Sequence, residues 1–146
     1  MTPRLRGSYV LVMRLREPTS VAVGQLGEFE FPAGWYTYAG GARGPGGLAS
    51  RVDRHQRASK TLHWHVDYLR AHADVLAVWY AVGRQRRECR WAQALCELPG
   101  ASMPAPRFGA SDCRCRAHLV HFPDPPNRPR FARSVDEPVH EEVLGA

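Results

Sequence analysis

The sequence predicts a small α+β domain: a mostly antiparallel sheet with helices on its faces. Three observations lead there. The chain has 146 residues, 44% of them hydrophobic, which is enough for one core and cramped for two. Apolar residues alternate along residues 7–15 and run on without a break over 75–82, both at strand length. Helical spacing over 48–57 and 85–98 separates and follows these runs, so strands come first, then helices, a strand and a helix.

The first strand, residues 7–15, alternates Tyr9, Leu11, Met13 and Leu15 onto one face, and Glu17-Pro18-Thr19 ends it. Residues 21–23 and 28–31 flank a glycine turn and read as a hairpin. After Pro32-Ala33-Gly34, residues 35–40 form an aromatic strand with Tyr36 and Tyr38 on one face, and a glycine-rich loop over 40–47 holds Arg43. The helix over 48–57 sets Leu48, Val52 and His55 in one stripe with Arg51 at its border, while Arg54 and Arg57 point away. A second helix is expected over 65–72, a buried strand over 75–82 and a third helix over 85–98. Residues 104–112 read as loop and 118–122 as a closing strand. From Pro123 the chain is Pro-rich and then acidic, with little apolar pattern. The expected organisation is a folded domain over 1–122 and a partly disordered tail over 123–146.

The net charge is +6, and 19 of the 20 basic residues are Arg, Lys60 being the lone lysine. Arg in place of Lys also follows from a GC-rich genome, but the positive balance itself suits a polyanion such as nucleic acid. No stretch approaches the ~20 apolar residues of a membrane-spanning helix. The first apolar run, residues 10–13, stops at Arg14, too short for the core of a signal peptide. A cytoplasmic location with no membrane partner is therefore expected, with Cys89, Cys96, Cys113 and Cys115 as thiols or metal ligands in preference to disulfides.

Gly7-Ser8-Tyr9 and Tyr38-Ala39-Gly40 each set a tyrosine beside a glycine on an expected strand. Two hydroxyls on neighbouring strands can share a phosphate or an attacking water. A tyrosine of reference pKa ~10 acts as a base only beside a cation or metal, and tyrosine is equally at home on a half-buried strand. Arg51 and His55 lie one helical turn apart. An Arg at the edge of a core needs an anion, either a carboxylate of the protein or a substrate phosphate whose developing charge it would stabilise. On the third helix, measured from Ala92 at ~100° per residue, Glu88 falls at about −40°, within the apolar face. An inward acid must be paired or bind a metal, and Mg²⁺ takes one or two carboxylates while keeping several waters. The other readings are an ion pair with Arg51, or a first-turn acid that suits the helix dipole.

In this order the pieces resemble the GIY-YIG nuclease superfamily. The likeness is nearest to a branch of small prokaryotic proteins related to a domain sometimes fused to endonuclease III. Phe31-Pro32-Ala33-Gly34-Trp35-Tyr36, Leu62-His63-Trp64-His65-Val66-Asp67-Tyr68, Glu88-Cys89 and Phe108-Gly109-Ala110-Ser111-Asp112-Cys113-Arg114-Cys115 carry the closer match, which spans residues 7–122. The resemblance implies a three-stranded antiparallel sheet flanked by helices, with the hairpin as an insertion, and metal-dependent cleavage of phosphodiester bonds in DNA. Carried over, Tyr9 is the general base and Tyr38 a supporting hydroxyl. Arg51 stabilises the transition state, His55 assists, and Glu88 holds one Mg²⁺ or Mn²⁺. Arg43, Arg54, Arg57 and Lys60 would steer the DNA backbone.

The sequence departs from the superfamily pattern at Ser8 and Ala39 and in the 28 residues between Tyr9 and Tyr38, which the hairpin lengthens. The Asn that often follows the metal-binding Glu has no counterpart, since the one Asn is Asn127. With no appended DNA-binding module in view, a targeting protein partner is expected.

Two further clusters stand out. His63, His65 and Asp67 surround Trp64 and either line the active site, bind a second metal, or simply start a helix. Cys113-x-Cys115-x-x-His118, with Cys89 as a fourth ligand, would make a tetrahedral zinc site, or the cysteines are buried thiols. Asp112 either joins Glu88 in one cleft or belongs with the cysteines. Two other functions suit this sequence: a non-catalytic nucleic-acid-binding module on the same fold, and a zinc-stabilised interaction domain.

Overall fold

The computed structural model of the chain describes residues 2–57, 62, 64–110 and 117–144. They form β1 (Gly7–Leu15), β2 (Thr19–Val23), β3 (Gly27–Phe31), β4 (Gly34–Ala42), α1 (Gly47–Gln56), α2 (His65–Arg70), β5 (Asp74–Val82), α3 (Glu88–Cys96), β6 (Leu119–Phe122), α4 (Arg128–Val135) and β7 (His140–Val143). The fold is α+β, as the alternation of strand and helix patterns predicts. The main sheet has the order β6-β4-β1-β5-β7 with every neighbouring pair antiparallel, and β2 and β3 form a separate two-stranded hairpin. The β4-β1-β5 centre corresponds to the three-stranded sheet that the resemblance implies. β6 and β7 widen it to five strands.

β1 is buried along its length except at Arg14, because both faces of the sheet are covered. On one face, Tyr9, Leu11 and Met13 pack with Leu48 and Val52 of α1, Val66 and Leu69 of α2, and Val21, Val23 and Phe31 of the hairpin. On the other, Val10 and Val12 meet Trp79 of β5, Trp91 and Leu95 of α3, and Phe131 of α4. Period-two alternation thus sends the β1 side chains into two cores, one on each side.

The partly disordered tail expected from Pro123 is replaced by α4 and β7. Asn127 caps α4 by accepting the Arg130 N–H at 3.0 Å, and Phe131, Val135 and Val139 are buried. Two of the acids that suggest a solvated tail hold buried partners. Glu137 accepts from Trp91 Nε1 at 2.8 Å, from the buried Arg87 at 3.1 Å and from Arg90 at 2.8 Å. Glu141 accepts from Trp79 Nε1 at 3.0 Å. A short amphipathic segment among prolines leaves little periodicity to read, and the buried indoles and guanidinium it serves lie far away in sequence. No described helix is long and apolar enough to cross a membrane.

Candidate active site

The site is built where β4 leaves the sheet. Tyr9 lies opposite Gly40 in the β1–β4 register. A Cβ on Gly40 would stand 2.6 Å from the Tyr9 ring and hydroxyl, so only glycine leaves room for that side chain. A Cβ on Gly41 would overlap both Arg43 and Glu88, which meet above the strand. The two glycines floor an open cleft of about 370 Å³. Tyr38, Arg43, Arg51, Arg86, Glu88 and His118 are among the residues that line it.

Tyr9 and His55 sit beneath this floor, both buried, with Tyr9 Oη 2.8 Å from His55 Nε2. Burial pushes the Tyr9 phenol well above its ordinary pKa. Tyr38 and Glu88 add to the rise, and the charge and hydrogen bond of Arg51 pull it back in part. Tyr9 is therefore a protonated phenol at neutral pH, close to a cation and to an imidazole. Arg51 and His55, one turn apart on α1, place a guanidinium at the cleft and a ring below it.

Arg51 rests on an aromatic platform. Its guanidinium carbon lies 4.4 Å from the centre of the Trp64 ring, and that of Arg54 lies 4.0 Å from the same ring. Arg54 donates two hydrogen bonds to Asp67, at 2.8 and 3.0 Å, and the Trp64 backbone N–H donates a third at 2.8 Å. Asp67, with a fully buried side chain, thereby holds both Arg54 and the start of α2.

Glu88 opens α3, three residues later than the helix expected over 85–98, so it is the first-turn acid that one of the sequence readings allows. Burial would raise its pKa, but the hydrogen bonds and charge of Arg43 outweigh it, with help from the backbone and His118. The carboxyl is held below its ordinary value. Its ion-pair partner is Arg43, which reaches Oε2 at 3.0 Å, contacts Oε1 as well, and donates to the Gln85 carbonyl at 3.2 Å. The alternative of an Arg51–Glu88 pair is replaced by this one.

His118 lines the same cleft 3.7 Å from Cys89 Sγ. Burial, aided by Arg107, lowers its pKa against the pull of Glu88 and the Ala39 backbone. His65 is anchored elsewhere: its Nδ1 accepts the Gly109 N–H at 2.8 Å, its ring packs on Phe108, and burial lowers its pKa. It holds a loop that borders the cleft.

The structure thus gathers Tyr9, Tyr38, Arg51, His55 and Glu88 at one place. Arg43 joins them as the partner of Glu88. Arg54, expected to point outward toward DNA, is committed to Asp67 and Trp64. Arg57 is exposed, with Asp53 one turn back at 3.5 Å. Lys60, His63, Asp112, Cys113 and Cys115 lie outside the described residues. Arg86, on the loop before α3, is a cleft residue that the sequence reading missed, and four consecutive polar positions at 84–87 were its signal. Ser8, the departure from the superfamily's first motif, is buried 3.5 Å from Arg87 Nη1 and so belongs to the α3 side of the sheet.

Among the described residues no cluster of three or more His, Cys, Asp or Glu side chains is placed to hold a metal. Cys89 is disulfide-bonded, against the expectation of a thiol or zinc ligand, while Cys96 keeps its thiol. The donor set fits a hard divalent ion better than zinc: one ionised carboxylate on an open cleft suits a cation that keeps most of its water. Such an ion would take the place at Glu88 that the Arg43 guanidinium holds.

The family model for the domain of unknown function DUF123 matches residues 8–139, and the chain belongs to that family. The match runs from β1 past α4, so it includes the helix that the composition conceals. No curated protein and no solved structure matches the chain.

Proposed function

We propose that this protein is a metal-dependent endonuclease that hydrolyses phosphodiester bonds in DNA. The observation that carries the reading is the meeting of Tyr38, Arg51 and Glu88 in the lining of one cleft, with the Tyr9–His55 pair directly beneath its floor, from four separate elements. The likeness of the sequence motifs to the GIY-YIG superfamily assigns these same positions.

Glu88 would hold Mg²⁺ or Mn²⁺, which when bound supplies Lewis-acid stabilisation of the phosphate and a more acidic water. The chain's own groups do the rest. The Arg51 guanidinium faces the phosphate and meets the charge that builds on its oxygens. A water oxygen attacks phosphorus and the ester P–O bond breaks. The water's proton goes to Tyr9 Oη as the Tyr9 proton moves to His55 Nε2, 2.8 Å away. The leaving oxygen is protonated from solvent. This relay suits a phenol whose pKa burial has raised, because Tyr9 then never carries a full charge. Tyr38 offers its hydroxyl to the phosphate from the cleft wall.

A second reading, a nucleic-acid-binding module without catalysis, is favoured by the Arg43 guanidinium spanning both Glu88 oxygens. Plasmid nicking with Mg²⁺, Mn²⁺ or EDTA separates the two. Nicks that need the metal and the intact Tyr9 hydroxyl support the nuclease. Salt-sensitive binding without products supports the module.

A further inference from the structure

Three strands end together at one edge of the sheet. Gly7, the first residue of β1, lies opposite both Ala42, the last of β4, and Val82, the last of β5. The segments running off these strands therefore leave side by side. Arg4 and Arg6 precede β1, Arg43 follows β4, and Arg84 and Arg86 follow β5. Backbone hydrogen bonds tie the segments to one another: Gly83 N–H to the Arg6 carbonyl at 2.9 Å, and Leu48 N–H to the Leu5 carbonyl at 2.8 Å.

Arg4, Arg6, Arg84 and Arg86 are exposed, and none forms an ion pair among the described residues. The nearby acids are already matched, Glu88 by Arg43 and Glu137 by Arg87 and Arg90. Unmatched like charges repel one another, so a rim of this kind is unfavourable until an anion lies on it. Arg86 also lines the cleft, so the rim leads into the site.

We propose that this rim is the track along which the sugar–phosphate backbone of a DNA duplex enters the cleft; the inference rests on the nucleic-acid reading of that cleft. Neighbouring strands lie ~4.8 Å apart, so β4 and β5, flanking β1, are separated by about 10 Å. Successive phosphates along one backbone are spaced wider than their ~3.4 Å axial rise, so the rim spans about two phosphates. Guanidinium groups match phosphate oxygens two at a time. The track runs along the sheet end, not along the α1 face that carries Arg54 and Arg57.

The test is equilibrium binding of a fluorescent 20-base-pair duplex in EDTA, across a range of salt, to three intact proteins. These are the wild type, the Arg4→Gln/Arg6→Gln/Arg84→Gln/Arg86→Gln variant, and a control of equal net charge, Arg14→Gln/Arg16→Gln/Arg130→Gln/Arg133→Gln. All substituted side chains are exposed, and circular dichroism checks that each protein is folded. At ~0.9 per phosphate, the slope of log K against log salt should fall by about 2 in the rim variant. Its affinity at fixed low salt should drop at least tenfold, and the control should stay within about twofold. Equal weakening of rim and control variants, or an unchanged rim slope, overturns the proposal while the nucleic-acid reading stands. A wild type that does not bind duplex at low salt overturns that reading, and the rim with it.

Discussion

The Arg54 guanidinium clasps the buried Asp67 carboxylate through two hydrogen bonds, 2.8 and 3.0 Å long, and stacks on the Trp64 ring whose backbone N–H the same carboxylate accepts. This pair joins α1 to α2 and sets the platform on which Arg51 lies. Removing one partner of a buried charge pair leaves the other uncompensated. Asp67→Ala is therefore expected to destabilise the protein by about 3 kcal/mol, with Asp67→Asn less damaging because the Trp64 N–H keeps an acceptor. Urea unfolding of the two variants checks this; equal stability with the wild type would show that the pair contributes nothing.

Trp64 carries the link from that pair to the cleft. Trp64→Leu removes the ring beneath Arg51, an interaction of about 1–2 kcal/mol for a desolvated cation–π contact. Cleavage should slow by about tenfold in kcat with little change in KM, and Trp64→Phe should recover part of the loss. Single-turnover kinetics of both variants, with melting temperatures alongside, distinguish a displaced Arg51 from a loosened fold. A loss confined to KM would contradict the platform role.

Arg43 and a divalent ion claim the same carboxylate. A hydrogen bond to a charged group is worth about 1.5–3 kcal/mol, so freeing Glu88 in Arg43→Ala should tighten Mn²⁺ binding by about tenfold or more. Mn²⁺ titration followed by electron paramagnetic resonance reads this without any cleavage. Equal or weaker binding in the variant would show that the two cations do not compete. The ordinary carboxylate range matters here too: because the Glu88 pKa is lowered, the Arg43 pair holds at pH 7 and fails only as pH falls through the depressed value.

His65 and His118 make stability depend on pH in the mildly acidic range. Both have lowered pKa values in the folded protein, so between those values and ~6.5 the unfolded chain binds more protons. Stability is full above that window and declines as pH falls through it. His65→Asn, which keeps a hydrogen-bond acceptor near the Gly109 N–H, should flatten the decline between pH 7.5 and 5. Thermal melts across that range check the slope, and an unchanged slope in the variant would remove His65 from the effect.

Local signals were enough for much of the fold. The alternation over 7–15, stopped by Glu17-Pro18, matches β1 to the residue, and the glycine turn marks the hairpin. The stripe of Leu48, Val52 and His55 places Arg51 at the border of α1, where it lines the cleft. What the sequence hides is tertiary. Glu88 does turn inward, with 16% of its side chain exposed, but it opens the helix and its partner lies 45 positions earlier in a loop. Gly41 was the one local hint, since a side chain there would block that pairing. Glu137 and Glu141 read as solvated acids because the indoles of Trp91 and Trp79 that donate to them lie 46 and 62 positions away.

The proposed nuclease requires Glu88 to act at a cleft that also binds nucleic acid. The most direct measurement compares wild type and Glu88→Ala on one labelled duplex, scoring cleavage with Mn²⁺ and binding in EDTA from the same preparations. Metal-dependent products are expected from the wild type alone, with duplex affinity unchanged or slightly raised in the variant as a negative charge leaves the cleft. Cleavage that persists in Glu88→Ala at the wild-type rate would contradict that role of Glu88.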